Sequence, residues 1–313
     1  MGYTDTAGRW VYASFYGAGI LVWGDRLERI AIIGLGLMGG SLALALKESG
    51  EIEAEIIGFS RRSEIVARAK KENIIDSAAD DMASAVKDTS LVIIATPVMT
   101  IRGVLEEISA HLLSGCIVSD VGSTKVKVMQ WADEYLPRDA DFIGGHPMAG
   151  KETSGIDEAD PDIFRGCVYC LTPTSRTSPE AVRKLEGIVR SIGAKPLTID
   201  AGEHDNLVAG ISHLPILLSA AFVSSTMNSP SWPEMSRLAA RGYRDLSRLA
   251  SGNPDMNRDI CLSNREEIIH WIDRYIEELK KLRSLVDKRG EGLGDALARA
   301  QEARESWLKE GGL

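Results

Sequence analysis

A glycine-rich turn between an apolar run and a helix-forming segment is the feature that most constrains the fold of this chain. Residues 30–33 form a short, mostly β-branched run of the kind that makes a buried parallel strand. Gly34, Gly36 and Gly39 follow in G-x-G-x-x-G spacing, and residues 42–46 are strong helix formers. A strand, a glycine turn and a helix in this order predict a binding site for a dinucleotide pyrophosphate.

Each glycine of this turn has its own physical role. Gly34 allows the tight turn, Gly36 lets the backbone approach the phosphates, and Gly39 lets the helix pack closely on the strand. Three glycines can also make a plain turn, but the flanking strand and helix favour the cofactor interpretation. The residues expected to contact the cofactor are Gly34, Leu35, Gly36, Leu37, Met38 and Gly39 in the turn, and Thr96 and Pro97 at the end of a later strand.

The residues after the next predicted strand, 54–59, bear on which dinucleotide is bound. An NAD site usually has Asp or Glu here to bind the ribose hydroxyls. This chain has Ser60, Arg61 and Arg62 instead, with no acid until Glu64. A hydroxyl and two guanidiniums suit a 2′-phosphate, which favours NADP over NAD. The alternative is that both arginines are ordinary surface charges.

Composition limits the partners of the chain. The net charge of −9 and pI near 5.2 argue against nucleic acid or an anionic membrane as the main partner. No apolar run is expected to reach the roughly 20 residues of a membrane span. The four cysteines are scattered and no second C-x-x-C accompanies Cys167 and Cys170, so we expect reduced thiols, no metal site and a cytoplasmic location.

The pattern of elements predicts two domains. Strands and helices alternate over residues 28–200, which predicts a Rossmann-like α/β fold with a doubly wound parallel sheet. Residues 201–313 show only helical patterns, at 204–227, 237–250, 255–285 and 291–309. So much apolar helix in a small domain suggests that a second copy covers it, as in a homodimer. Residues 1–27 show no signal-peptide pattern and are assigned to an N-terminal extension.

Polar residues after predicted strand ends are the candidates for chemistry, because ligands of such sheets bind there. His146 lies in a Gly-Gly-His-Pro segment past the strand at 142–143 and is suited to accept a hydroxyl proton. Ser123 can orient a substrate oxygen or the imidazole, and Lys125 can attract a carboxylate. A structural histidine and a plain turn are the alternatives. For His213, beside Ser212, a buried structural role is equally open, and His204-Asp205 reads as a helix start.

These motifs together resemble the prephenate and arogenate dehydrogenases of tyrosine biosynthesis over about residues 28–285. The glycine turn is common to many families, whereas G-H-P-M-A-G at 145–150, E-T-S-G at 152–155 and S-H-L-P at 212–215 are far more specific. Further support comes from the segments A-T-P-V at 95–98, D-V-G-S-T-K at 120–125, His204-Asp205 and Arg258-Asp259.

The resemblance implies an NAD(P)-dependent oxidative decarboxylation of a cyclohexadienol. Its expected substrate is prephenate, converted to 4-hydroxyphenylpyruvate, with arogenate, converted to tyrosine, as the alternative. His146 matches the catalytic histidine of the family, Ser123 the serine beside it, and Arg248 the arginine that binds a substrate carboxylate. The substrate site is expected to contain Arg248, Lys125, Lys151, Ser212 and His213.

Two departures from the family pattern concern the substrate. Relatives often carry a second histidine where this chain has Ile216, and a small residue where it has Lys151. The charge of Lys151 favours prephenate, the more anionic substrate. A β-hydroxyacid-type dehydrogenase and a non-catalytic dinucleotide sensor are the alternative functions. The G-H-P-M-A-G run argues against the first, and the joint presence of His146, Ser123 and Arg248 against the second.

Overall fold

The computed structural model describes residues 3–4, 10–11, 29–151, 153–288 and 290–310. An eight-stranded sheet with its helices occupies residues 29–198, and the described residues after it form helices without strands. The proposed extension over residues 1–27 lies outside the described residues except for two short antiparallel strands, β1 (Tyr3–Thr4) and β2 (Trp10–Val11).

The main sheet follows the order β10-β9-β8-β7-β6-β3-β4-β5. Its strands are β3 (Arg29–Ile33), β4 (Glu55–Phe59), β5 (Ser77–Ala78), β6 (Leu91–Ile94), β7 (Ile117–Asp120), β8 (Asp141–Pro147), β9 (Val168–Pro173) and β10 (Lys195–Thr198). Strands β3 to β8 are parallel, which confirms the Rossmann-like class. The sheet departs from the predicted parallel pattern at one edge, where β9 and β10 run antiparallel to the other strands. The described residues of the connection from β8 to β9 form 3₁₀ turns and no crossover helix, and β9 pairs antiparallel with β8.

Six helices cover the two faces of the sheet. Alternate side chains of β3 point to opposite faces, and each face carries its own apolar cluster. Ile30 and Ile32 belong to one cluster, Ala31 and Ile33 to the other, so the sheet is buried on both sides. The covering helices are α1 (Leu37–Ser49), α2 (Ser63–Lys71), α3 (Met82–Val86), α4 (Ile101–Ile108), α5 (Val126–Tyr135) and α6 (Pro179–Ser191).

The glycine turn lies where the strand order reverses, between β3 and β6. At this point the carboxyl ends of neighbouring strands open a crevice that binds ligands in sheets of this kind. Gly34 has a φ of +104°, and a Cβ there would lie 2.6 Å from the carbonyl oxygen of Ala95. A Cβ on Gly39 would lie 1.9 Å from the carbonyl oxygen of Gly34, whereas one on Gly36 would meet no atom within 4 Å. Two glycines therefore allow close packing, and the third faces open space.

The helices after the sheet are more broken than the sequence pattern predicts. They are α7 (Ala201–Val208), α8 (Leu214–Met227), α9 (Trp232–Leu238), α10 (Arg241–Ser247), α11 (Pro254–Ser263), α12 (Arg265–Asp287) and α13 (Leu293–Lys309). A π-helical turn, Ala209–His213, joins α7 to α8. The single helix expected over 255–285 is interrupted at Asn264, whose φ of −120° and ψ of 40° are not helical.

The continuous helical segment Ala201–Met227 is long and apolar enough to cross a membrane by length and composition alone. The expectation that no run reaches this length was wrong, because residues 206–227 contain no Asp, Glu, Lys or Arg. The core helix of a soluble protein meets the same criteria, and 28% of its most apolar window is buried. Ile211 on this segment is 73% exposed. An exposed apolar surface on such a helix is typical of a contact with another molecule.

The close contact at Gly39 leads to a prediction about stability. We expect Gly39→Ala to lower the free energy of unfolding by about 1–3 kcal/mol or more, because the new methyl group overlaps the Gly34 carbonyl. Gly103→Ala in α4 is the matched control: its Cβ would meet nothing within 4 Å, and we expect a gain of about 0.5–1 kcal/mol. Urea denaturation of the three proteins checks this, and equal stability of all three would contradict it.

Candidate active site

His146 lies within strand β8 rather than in a loop after it. The expectation of a loop at the Gly-Gly-His-Pro segment was wrong, because residues 143–147 pair with β9, and His146 is opposite Cys170. The histidine is therefore held by a sheet on a rigid element. Its side chain is 8% exposed, close to the carboxyl end of the strand.

A chain of hydrogen bonds connects His146 to the helical part of the protein. His146 Nδ1 lies 2.9 Å from His204 Nε2, and His204 Nδ1 lies 2.8 Å from Asp205 Oδ1. His204 and Asp205 are each 1% exposed and belong to α7. The two imidazole rings meet edge to face, with their centroids 5.1 Å apart.

Asp205 binds the start of helix α5, so the sequence interpretation of this residue as a helix-start acid of its own helix was wrong. The residue that caps α7 is Asp200, whose side chain accepts hydrogen bonds from Gly202 and Glu203 N–H groups. The Asp205 carboxylate instead accepts from the N–H groups of Lys125, at 2.7 Å, and Val126, at 2.9 Å. Unpaired N–H groups and the positive end of the helix dipole stabilise an anion at this position.

This arrangement determines which nitrogens carry protons. An ionised Asp205 only accepts hydrogen bonds, so His204 Nδ1 must carry the proton that it donates. With His204 in its neutral form, its Nε2 carries a lone pair, and His146 Nδ1 is then the donor to it. His146 is left with a lone pair on Nε2. The aspartate therefore orients, through two imidazoles, a base that can accept a proton from a ligand.

The burial of His146 keeps it neutral. Loss of hydration is the main cause that holds the pKa of His146 well below its ordinary value of 6.5, and His204, Lys125 and His213 nearby lower it further. A neutral imidazole at neutral pH is ready to accept a proton. An anionic ligand entering the site would raise its proton affinity again.

His213 is a second buried imidazole beside this chain. Asn264, at the break between α11 and α12, lies with Nδ2 3.2 Å from His213 Nδ1 and donates to the main-chain oxygen of Asp205 at 2.7 Å. His213 Nε2 has no hydrogen-bond partner among the described residues, although the side chain is 1% exposed. Burial lowers the pKa of His213 to about 4. The π-helical turn that carries His213 is a feature often found at functional sites.

Lys125 is not the exposed, substrate-binding cation that the sequence suggested. Its ammonium is fully buried and forms an ion pair with Asp120, and it donates to the Gly145 carbonyl at 2.6 Å. Asp120 Oδ1 accepts from the N–H group of Gly145 at 3.0 Å. The expectation that Lys125 binds a substrate carboxylate does not fit this placement, because its hydrogen bonds are directed into the protein.

The remaining expected substrate residues lie in four places. Ser123 is half-buried in the loop after β7, and Ser212 is half-buried in the π-helical turn beside His213. Arg248 is exposed at the start of a 3₁₀ turn, Arg248–Ser251, that packs on α8. Lys151 forms an ion pair of 2.8 Å with Asp160, which partly cancels the charge expected to favour a more anionic substrate.

The crevice at the glycine turn suits a dinucleotide. Helix α1 begins after Gly36 with no side-chain cap and no acid in its first turn, so its N–H groups and dipole are available to an anion. Thr96 Oγ1 is buried and has no hydrogen-bond partner among the described residues. Leu35 and Leu37 are buried, and Met38 packs against the core beneath the turn. Pro97, which follows Thr96, is exposed.

The loop after β4 is open to solvent. Ser60 is half-buried, and its hydroxyl accepts a hydrogen bond from the Arg62 N–H group at 3.4 Å. Arg61 and Arg62 are exposed, and neither guanidinium has a partner among the residues that the structure describes. Both cations are thus free to meet a phosphate at this edge of the crevice.

Sequence reasoning gave no site role to His204, Asp205, Asn264 or Asp120. Each acts through contacts with residues distant in the chain. The signals that could have found them are the adjacent His204-Asp205 pair, directly after the last strand, and Asn264, a poor helix former inside an otherwise helical pattern.

The lowered pKa of His213 predicts a loss of stability in acid. Below about pH 6.5 the unfolded chain protonates this histidine, whereas the folded protein resists protonation until about pH 4. The free energy of unfolding should therefore fall as pH decreases through this window, with His213 contributing up to about 1.4 kcal/mol per pH unit. His213→Asn should reduce the slope, and exposed His111→Asn is the matched control. Denaturation at several pH values checks this, and an unchanged slope in His213→Asn would refute it.

Two family models match consecutive parts of this chain. The model of the prephenate dehydrogenase nucleotide-binding domain matches residues 42–198, and that of the prephenate dehydrogenase dimerization domain matches residues 200–299. A prephenate dehydrogenase of Bacillus subtilis (strain 168) is 39% identical over 263 residues, which cover 83% of this chain and 71% of that protein.

Two solved structures share the whole architecture. A prephenate dehydrogenase from A. aeolicus, in complex with hydroxyphenyl propionate and NAD+, has a TM-score of 0.85 and 27% identity, covering 91% of this chain and 99% of that one. The arogenate dehydrogenase of Synechocystis has a TM-score of 0.77 and 31% identity, covering 89% and 99% respectively.

Proposed function

This chain belongs to the prephenate dehydrogenase family of NAD(P)-dependent oxidoreductases, and we propose that it converts prephenate to 4-hydroxyphenylpyruvate. The observation that carries the proposal is the hydrogen-bonded chain Asp205–His204–His146, which leaves a lone pair on His146 Nε2. Oxidation of a ring hydroxyl needs such a base beside the cofactor crevice. In tyrosine biosynthesis this reaction forms the aromatic ring.

In the proposed reaction, bound NAD(P)⁺ supplies the acceptor for the hydride that leaves the hydroxyl-bearing ring carbon. His146 Nε2 accepts the hydroxyl proton as this hydride departs. The positive charge on His146 is shared with His204 and stabilised by Asp205 at the start of α5. The ring carboxylate leaves as carbon dioxide, and His146 returns the proton to the phenolate oxygen. No proton is consumed overall.

Binding of the substrate is assigned to polar and charged residues outside the hydrogen-bonded chain of His146, His204 and Asp205. We assign Arg248 to a substrate carboxylate and Ser123 to the reacting hydroxyl, as the family resemblance implies. Ser212 and the unpaired Nε2 of His213 offer further polar contacts. Lys151 is a weaker candidate than the sequence suggested, since its ion pair with Asp160 partly cancels its charge.

Arogenate is the second candidate substrate, converted directly to tyrosine. It differs from prephenate by an amino group in place of the keto group, and the Synechocystis neighbour is an arogenate dehydrogenase. The charge of Lys151, which Asp160 partly cancels, is a weaker argument against arogenate than the sequence suggested. Parallel turnover of both substrates by the purified protein distinguishes the two candidates.

The helical part is proposed to form a homodimer. The division is placed at about residue 200, with the cofactor domain over 28–200 and the helical domain over 201–313. Exposed apolar side chains on the helical part support a second copy as its cover, rather than a membrane. They include Ile211, Leu238, Leu246 and Val286, each more than 60% exposed. A dimeric biosynthetic enzyme of this kind is proposed to act in the cytoplasm.

Removal of the proposed base should abolish turnover without affecting cofactor binding. We expect His146→Asn to lower kcat with prephenate by at least about 10²-fold, because the variant lacks the nitrogen lone pair that accepts the proton. The dissociation constant of the oxidised cofactor should stay unchanged, as measured by calorimetry. The matched control, His270→Asn on α12, should keep full activity. A His146→Asn enzyme with most of the wild-type rate would rule out the mechanism.

NADP is the cofactor favoured by the loop after β4. Replacing Arg61 and Arg62 with alanine should raise KM for NADP about tenfold or more while KM for NAD stays nearly constant, since charge-assisted bonds to a 2′-phosphate are lost. Lys71→Ala, at the far end of α2, removes a cation and serves as control. Initial rates with each cofactor measure the effect. An equal change in both KM values would show that these arginines do not select NADP.

A further inference from the structure

One buried ion pair has no role in the reaction described so far. The ammonium of Lys125 and the carboxylate of Asp120 are both fully buried and bind each other. Burying two charges is costly and a poor source of stability, because an apolar pair of the same volume is often as stable. Such a pair in the wall of an active site calls for another explanation.

The pair replaces main-chain pairing where strands β7 and β8 end. The ladder between these strands runs to Ser119, opposite Ile143. Beyond it, Asp120 Oδ1 accepts from the Gly145 N–H group at 3.0 Å, and Lys125 Nζ donates to the Gly145 carbonyl at 2.6 Å. Both main-chain polar groups of Gly145 are therefore held by the ion pair. The next residue is His146.

The two glycines before His146 make space for this arrangement. A Cβ on Gly145 would lie 2.3 Å from the carbonyl oxygen of Asp120. A Cβ on Gly144 would lie 3.0 Å from Lys125 Cδ and 2.8 Å from the sulfur of Met129. Gly144 and Gly145 therefore let the side chains of Lys125 and Asp120 reach strand β8. A plain turn after the strand would not require glycine at both positions.

We propose that the Lys125–Asp120 pair is a positioning device for His146, because it holds both main-chain polar groups of Gly145, the residue directly before the imidazole. The inference rests on the proposed function, in which His146 is the base. Lys125 is a positioning residue here and does not contact the substrate. The titratable groups that face the pair are Asp205, Cys170 and Tyr169, and those that face His146 besides Lys125 are His204 and His213.

The positive charge of Lys125 also affects His146, in addition to the hydrogen bonds that hold Gly145. Lys125 is one of the groups that lower the pKa of His146, after burial and His204. Removing this cation should therefore raise the pKa of His146 toward its ordinary value. A more basic imidazole would be protonated, and hence inactive as a base, at a higher pH than in the native enzyme.

The test replaces both charges with near-isosteric neutral side chains, in K125M/D120N. We expect kcat to fall at least tenfold, because misplacement of a catalytic group lowers the rate of the chemical step. KM for prephenate and the dissociation constant of the cofactor should change less than twofold. The acid limb of the kcat/KM profile should move to higher pH, and the His146 pKa from NMR titration should rise.

The matched control is Thr177→Val, which removes a side-chain hydrogen bond of 2.7 Å to the main-chain oxygen of Phe142, at the far end of β8.

Two results would overturn the inference. A large rise in KM for prephenate with kcat retained would show that Lys125 binds substrate, and an unmoved His146 titration would show that the pair does not act on the imidazole. The NMR titration needs no substrate, so failure of the wild-type enzyme to oxidise prephenate would reject the proposed function separately. If the double variant does not fold, Lys125→Gln alone is scored by the same criteria, since it removes the cation and leaves Asp120 to accept the Gly145 N–H.

Discussion

The carboxylate of Asp205 is the interaction on which the rest of the site depends. It belongs to the helical part of the chain, yet it binds the first N–H groups of α5 in the sheet-bearing part. The same carboxylate accepts the hydrogen bond donated by His204 Nδ1–H and so orients both imidazole rings. One side chain thus joins the two parts of the protein, stabilises a helix terminus and orients the proposed base.

His146 is held from two directions. On one side, His204 fixes the ring through Nδ1, and on the other, the Lys125–Asp120 pair holds the peptide before it. Strand β8 provides the rigid element between them. A base oriented in this way, at the carboxyl end of a strand and on the same edge of the sheet as the glycine turn, is preorganised for proton transfer. Burial holds the pKa of His146 well below its ordinary value, so the ring is neutral and able to accept a proton.

Local features of the fold were predictable from the sequence, and long-range ones were not. The strand, glycine turn and helix around Gly34 follow from short-range sterics, and the position of His146 near a strand end follows from the same reasoning. The antiparallel pairing of β9, which makes His146 part of a strand, depends on a partner that local patterns do not reveal. The roles of His204 and Asp205 depend on bonds that span 58 and 80 residues. Lys125 was expected to bind substrate, because the sequence alone does not show that its ammonium pairs with Asp120.

The central claim is that Asp205, acting through His204, leaves the proton of His146 on Nδ1. Long-range ¹H–¹⁵N correlation spectra of the ¹⁵N-labelled protein at neutral pH report the tautomer of each histidine directly. The account predicts that His146 and His204 are both neutral and both protonated on Nδ1, and that Asp205→Asn alters this pattern. A proton on Nε2 of His146 in the native protein, or a charged imidazole there at neutral pH, would contradict the account.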